Sequence, residues 1–497
     1  MFALLGLLSF AVLTTTSLAQ TITVGTVSGL PGETVQVPVD IDSAAGAGVN
    51  FSLTYDGGKL TNFSATKGSL ATANHIADSH SPVAGTGNAI VYPNPVVDFA
   101  AGGGSLAIVS LQISDTANGG ESYPLTVADL TLADNQGAVI PTTNVNGAVN
   151  VGGPSFPTMD DFEGNEDGWT YAGILPAGVG PTSGFTGSAL TMLAFTGQND
   201  FPQFGFWQSP QQQVVKSSLY KFSFTLRTDD ANIADEANIP THRVRVNFLN
   251  TGGTPMAVAT NNDSKAGGSY LLANTNKVFN VYVQPQSEAA NLIGAFDLNY
   301  FNVFDHKATI ILEQFEVDRV GLSTLTGQTT LKTWTFATDE EGWVFNDFNS
   351  TSFPSTLAYN AADQALDMTA TQFPSFGIWQ SPAVPELICN TNKLYRFAFT
   401  VSTTEADQSL VPSVRFRWLT SNNEYIQTTV FNSNGDNVTH MPTTAPKTYY
   451  NYFIPSSDGQ QILLAVDLTA FDPTDNTNTA TIKIHDVTAE SWDIPTF

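Results

Sequence analysis

Between Gln20 and Gly153 apolar and polar residues alternate in short runs. Val35, Val37, Val39 and Ile41 fall on one side of an extended segment; Val49, Phe51, Leu53 and Tyr55 do the same, as do Val109, Leu111 and Ile113. Period-two alternation over such lengths predicts strands buried on one face. Turn residues separate the runs: Leu30-Pro31-Gly32, Asp56-Gly57-Gly58, Gly102-Gly103-Gly104 and Asn135-Gln136-Gly137. The expected architecture is an antiparallel sandwich.

Alternation continues beyond Gly153, and there it occurs twice. Tyr220, Phe222, Phe224 and Leu226 alternate with Lys221, Ser223, Thr225 and Arg227; Tyr395, Phe397, Phe399 and Val401 alternate with Arg396, Ala398 and Thr400. Phe201-Pro202-Gln203-Phe204-Gly205-Phe206-Trp207-Gln208-Ser209-Pro210 returns 172 residues later as Phe373-Pro374-Ser375-Phe376-Gly377-Ile378-Trp379-Gln380-Ser381-Pro382. Gly168-Trp169 answers to Gly342-Trp343, and the Arg243/Arg245 pair to Arg415/Arg417. Such a period is too long for one turn of a solenoid and implies two whole domains in tandem. Gly152-Gly153-Pro154-Ser155 and Thr324 to Lys332 read as linkers. The expected domains are 20–153, 156–323 and 333–497, all of them β-sandwiches.

Composition agrees with an all-β chain and narrows its partners. Only 13% of the 497 residues are charged, yet acids outnumber bases 45 to 18, for a formal charge of −27. Nucleic acid and anionic membrane are poor partners for such a surface, because phosphate binding needs clustered Lys and Arg. Met1 to Leu13 is apolar, and Ser17-Leu18-Ala19 has the small residues of a secretory cleavage site, so 1–19 is read as a signal peptide. No later run is long and apolar enough to span a bilayer as a helix. The expected location is secreted, extracellular or at the cell surface. Cys389 is the sole cysteine, which excludes an internal disulfide and leaves stability to core burial. Its setting after Leu387-Ile388 suits a buried thiol.

Three stretches of the first domain resemble the cohesin family. Val24-Gly25-Thr26-Val27-Ser28-Gly29-Leu30-Pro31-Gly32-Glu33-Thr34-Val35 looks like its opening strand and turn, and Phe51-Ser52-Leu53-Thr54-Tyr55-Asp56 with Leu60 like its third-strand signature. Leu132-Ala133-Asp134-Asn135-Gln136-Gly137 through Asn144-Val145-Asn146-Gly147-Ala148-Val149 looks like the closing hairpin. The resemblance implies a nine-stranded jelly-roll sandwich and docking of a dockerin domain, with polysaccharide-degrading complexes as the usual setting. The stretch His75 to Pro95 matches the family poorly, so no dockerin-contact residues are carried over. A sandwich acting only as a spacer stays open beside the docking reading. More loosely, Phe162-Glu163 with Gly168-Trp169 and the paired sheets make each repeat similar to jelly-roll carbohydrate-binding modules of galactose-binding-like fold, which implies glycan recognition.

Polar and aromatic positions kept in both repeats are the candidate site residues. Trp207-Gln208 and Trp379-Gln380 pair an indole face suited to sugar C–H groups with an amide that can bond hydroxyls; an indole packed between sheets is the alternative. Arg243/Arg245 and Arg415/Arg417 take four of the 18 basic residues. A spacing of two puts each pair on one sheet face, where guanidinium groups suit sugar hydroxyls or acidic sugars. Asp297 and Asp467 can accept from the same ligand, or form cross-strand ion pairs with the arginines instead. Asp160, Asp161, Glu163, Glu166 and Asp167, then Asp339, Glu340 and Glu341, crowd carboxylates into turns of a kind that can hold structural calcium; solvated turn acids are the alternative, and no D-x-[DN]-x-[DN]-G loop is present.

Catalysis has little support. There is no G-x-S-x-G elbow, no H-E-x-x-H and no P-loop, and the six histidines lack metal-ligand spacing. The expectation is a secreted, non-catalytic protein linked to extracellular polysaccharide breakdown. Its first domain docks a protein partner and its tandem modules bind polysaccharide, with avidity from duplication. A structural surface or matrix protein using the sandwiches as spacers is the alternative.

Overall fold

The computed structural model describes residues 19–497 except 44–45, 154, 174–181, 196–204, 216, 229–240, 250–254, 262–274, 286–289, 301–306, 348–355, 371–376, 406–413, 421–424, 432–442, 456–457, 469–479 and 496. The signal-peptide reading therefore lies outside the described residues. The described chain is strands and turns, with a short 3-10 turn at Leu322–Thr324. It divides into two compact units, 1–152 and 153–497.

The first unit contains strands β1 (Gln20–Val24), β2 (Thr26–Gly29), β3 (Thr34–Ile41), β4 (Gly48–Thr54), β5 (Leu60–Lys67) and β6 (His75–Val83). After them come β7 (Thr86–Pro93), β8 (Gly104–Ile113), β9 (Ser122–Ala133), β10 (Val139–Ile140), β11 (Thr142–Val145) and β12 (Gly147–Val151). One sheet runs β11-β1-β3-β8-β5 and the other β2-β12-β9-β4-β7-β6, with β10 beside β9. The alternating residues form the core as expected: Val37, Val39, Phe51, Leu53, Val109, Leu111 and Ile113 are all buried. Each such side chain contributes about 1.5–3 kcal/mol. The first strand crosses between sheets at Gly25, whose neighbour across the crossing is Gly147. A Cβ on Gly147 would lie 2.2 Å from the Gly25 carbonyl oxygen, so this close approach requires glycine.

In the second unit each repeat supplies one sheet of its own. In the first repeat the order is Thr182–Phe185, Leu190–Phe195, Lys307–Gly321, Ser218–Thr228 and Lys277–Val283, with Thr158–Asp160 pairing alongside. In the second it is Thr356–Asn360, Ala365–Ala370, Ala480–Asp493, Lys393–Thr403 and Lys447–Phe453, with Thr329–Trp334 alongside. The opposing layer is common to both. It is an 11-stranded sheet in which Pro255–Asn261 of the first repeat pairs antiparallel with Tyr425–Phe431 of the second, through Ala257↔Phe431 to Thr260↔Thr428. The repeats are thus joined edge to edge into one unit. The stretch read as a linker, Thr324 to Lys332, runs into the strand Thr329–Trp334.

A second contact reinforces this join. Leu219 and Tyr282 of the first repeat cluster with Leu394 and Tyr452 of the second. The Tyr452 hydroxyl donates to Gln284 Oε1 at 3.0 Å. Beside it, Lys221 pairs with Asp318 and Arg396 with Glu490, equivalent cross-strand ion pairs in which both acids are buried. Buried partners make such pairs costly to break singly.

Candidate functional site

The outer face of the β9-β4-β7-β6 layer is built in rungs. Gly48 pairs with Ala133, and Tyr92 with Ile76; Thr131, Asn50, Ile90 and Asp78 form the next rung, and Ser52, Asn88 and His80 the one after. The opposite parity of each strand is in the core, which leaves these side chains outward. The polar rung is tied together: the Ser52 hydroxyl donates to Asn88 Oδ1 at 3.0 Å, and Asn88 Nδ2 lies 3.3 Å from His80 Nε2. The neighbouring rungs carry apolar residues into solvent, with Ile76 at 40%, Ile90 at 39%, Tyr92 at 37% and nearby Val96 at 67% exposure. A shallow groove of about 350 Å³ opens there between Ala47, Asn50, Ile90, Tyr92, Val96 and Asp134. Contiguous exposed apolar surface with a polar rim marks a contact face.

Beneath the end of this face sits His75, buried and stacked on Phe99 with ring centroids 4.4 Å apart. Its Nδ1 accepts from the Thr72 backbone N–H at 3.1 Å, and its Nε2 lies 3.1 Å from the Ala47 carbonyl oxygen. This arrangement fits the neutral Nε2–H tautomer. Burial lowers the imidazole pKa, the Ala47 hydrogen bond raises it less, and the Lys67 charge lowers it further.

Duplicated positions occupy both faces of the shared sheet. Trp207 and Trp379 are on the core side, 5% and 4% exposed. The Trp207 indole donates to the Thr191 carbonyl at 3.0 Å, and Tyr171 packs on it edge-on. Neither indole offers a face to solvent, so this placement fits the packing role rather than sugar stacking. Gly294 faces the same core: a Cβ there would meet Phe315 Cζ at 2.4 Å. Gln208 and Gln380 lie on the opposite face, Gln208 half-buried and Gln380 9% exposed.

The arginines and aspartates share the face of the glutamines. Their side chains lie outside the described residues, and the backbone register places them. Arg243 is directly opposite Asp297, and Arg415 directly opposite Asp467, which is the register of a cross-strand pair. Arg245 is opposite Ala295, and Arg417 opposite Ala465. Followed across the sheet, one rung runs Gln208, Ala295, Arg245, Thr260 and then Thr428, Arg417, Ala465, Gln380. It reads the same from either end, about a two-fold axis between Thr260 and Thr428. Sequence reasoning found these residues separately; their union into one rung depends on the inter-repeat register, for which the alternation carries no signal.

The turn acids cap backbone. Asp167 Oδ2 accepts from the Phe162 N–H at 2.9 Å, and Glu341 Oε1 accepts from the N–H groups of Thr335 and Phe336 at 2.9 and 2.6 Å. Phe162 and Phe336 hold positive φ, 58° and 50°, while plugging the core against Trp169 and Trp343. The Trp169 indole donates to Asp160, whose pKa is raised by burial, an effect the indole hydrogen bond reduces. Among the described residues no group of three or more His, Cys, Asp or Glu is arranged to hold a metal ion.

The first unit is thus a two-sheet β-sandwich with an outward face that mixes apolar and polar residues. Residues 20–151 match the family model of the cohesin domain. Solved structures similar to this part of the chain include several cohesins. The sixth cohesin of scaffoldin B from Acetivibrio cellulolyticus, solved with a mutant dockerin, is 23% identical over 27% of this chain and 99% of its own, with a TM-score of 0.25. CaCohA2 of Clostridium acetobutylicum, also solved with a dockerin, is 27% identical over 27% and 99%, TM-score 0.24. A non-cellulosomal cohesin from the archaeon Archaeoglobus fulgidus is 25% identical over 27% and 91%, TM-score 0.23. Comparison with curated proteins finds no match.

Proposed function

We propose that the protein is a secreted, non-catalytic scaffold of extracellular polysaccharide breakdown. Its cohesin-like unit docks a dockerin-type domain through the outer β9-β4-β7-β6 face, and its twin repeats hold polysaccharide. The carrying observation is the cohesin match over residues 20–151 together with the exposed Ile76, Ile90, Tyr92 and Val96 on one sheet face. Aromatic anchors in such patches hold most of the binding energy. The polar face shared by the repeats supports the glycan half of the reading, and their duplication supports avidity for a repeating polymer.

The test is retention of dockerin domains on the immobilised full chain, read beside retention of the chain on a panel of soluble and insoluble polysaccharides. Tyr92→Ala and Ile90→Asp are expected to lower dockerin affinity about tenfold or more with unchanged melting. Binding that survives both substitutions removes this face from the proposal. The rival reading, a surface or matrix spacer, draws on the edge-to-edge union of the repeats; a chain that retains no polysaccharide favours it.

A further inference from the structure

We propose that the two repeats share a single ligand site, centred on the Thr260–Thr428 pair, that takes an extended carboxylate-bearing polysaccharide with one uronate at Arg245 and another at Arg417. This rests on the glycan-binding reading of the repeats and goes beyond it, since two separate modules would bind two independent segments.

The rung supplies the geometry. Arg245, Thr260, Thr428 and Arg417 stand on four adjacent strands in direct register, so the two arginine positions are roughly 14 Å apart at ordinary strand spacing. They fall on the face opposite the buried Trp207 and Trp379. At the ends of the rung the positions opposite Gln208 and Gln380, Thr170 and Val344, are exposed. Because the rung is two-fold symmetric, whatever chemistry suits one half suits the other.

The chemistry of the kept positions selects the ligand. Neutral glycans are commonly held by stacking on aromatic faces, yet the repeated tryptophans are in the core, and Phe206 on the outer parity is answered by Ile378 in the second copy. What both copies retain on this face is two arginines, one aspartate, a threonine and a glutamine. Arginine matches a carboxylate with two parallel hydrogen bonds, a stronger and more directional contact than any it makes with a hydroxyl. By register Asp297 and Asp467 stand opposite Arg243 and Arg415, whereas Arg245 and Arg417 face alanine and threonine. By register, then, this rung carries two arginines and no acid, on a chain whose formal charge is −27. A polymer with a charge every ~1.7 Å of axis, as in duplex DNA, would be repelled by the rest of that surface. A polysaccharide with one carboxylate per sugar spaces its charges farther apart and is repelled less.

Calorimetric titration of the full chain with galacturonate dimers and octamers decides the matter, with neutral galactan octamers and a single-stranded oligonucleotide as comparisons. The expected result is one galacturonate octamer per chain, bound more tightly than the dimer and weakened by salt. Arg245→Gln and Arg417→Gln should each lower octamer affinity about tenfold or more, with tryptophan emission and elution volume unchanged. Two octamers per chain, with each substitution removing one, would overturn the shared site. Equal or better binding of galactan or oligonucleotide would overturn the ligand class. Retention of some neutral polysaccharide without uronate binding sinks this inference and leaves the glycan reading intact, whereas a chain that binds no polysaccharide sinks both.

Discussion

Replacing Glu341 by alanine tests how the second repeat holds its core aromatic in place. One carboxylate oxygen accepts from the N–H groups of Thr335 and Phe336 and from the Thr335 hydroxyl at 3.3 Å. Hydrogen bonds to a charged group contribute roughly 1.5–3 kcal/mol each when the partner is left without a substitute. Phe336 is fully buried at a φ of 50°, a conformation costing a bulky residue about 1–3 kcal/mol. Without the carboxylate, water can replace some of the lost bonds at the exposed turn, and the left-handed backbone is then held by the packing of Phe336 against Trp343 without its hydrogen bonds. The expected loss is about 2–4 kcal/mol for Glu341→Ala, and less for Asp167→Ala, which removes one acceptor from the Phe162 N–H. All seven tryptophans lie at or beyond residue 169, so urea unfolding followed by tryptophan emission reports the second unit and not the first. A Glu341→Ala protein that unfolds within about 0.5 kcal/mol of the parent would refute the cap as the source of this backbone geometry.

Three further outcomes are expected. Gly294→Ala pushes a methyl group against the Phe315 ring, and should cost about 1–3 kcal/mol in the same urea experiment. His75 has a native pKa below its unfolded value near 6.5. The unfolded state therefore binds the proton first, so the stabilisation is complete above about pH 6.5 and is lost as pH falls through the native pKa. Hydrogen exchange of the β6 and β7 amides should show this acid sensitivity, and His75→Gln should flatten it. Burial pushes the Cys389 thiol up to about 12, so alkylation at pH 8 should be slow in the native protein and rapid in urea.

Much of the fold was legible because burial on one face imposes period-two alternation. Val37, Val39, Phe51 and Leu53 in the first unit, and Phe222, Phe224, Phe397 and Phe399 in the repeats, are buried as their alternation predicts. The outward apolar face was not, and His75 to Pro95, a stretch that matched the family poorly, contains the β6–β7 hairpin carrying Ile76, Ile90 and Tyr92. An outward residue obeys no packing rule, so isoleucine there looks like any other strand isoleucine. The turn acids were visible as a cluster, but their role depends on which N–H groups a positive-φ phenylalanine turns toward them. The union of the repeats escaped altogether, since an edge strand that pairs alternates no differently from one that faces water.

That union bears on how such a protein can be inherited and rearranged. A free strand edge invites pairing with other chains, and each repeat alone would carry one at Pro255–Asn261 or Tyr425–Phe431. Side by side, the repeats close each other's edge. Neither is then a freely portable cassette: recombination that moved one without the other would release a chain prone to self-association. Since the contact is two-fold, an isolated repeat would present its edge to a copy of itself in the same antiparallel sense. The pair, not the repeat, is the smallest piece that can be shuffled between proteins without a new partner.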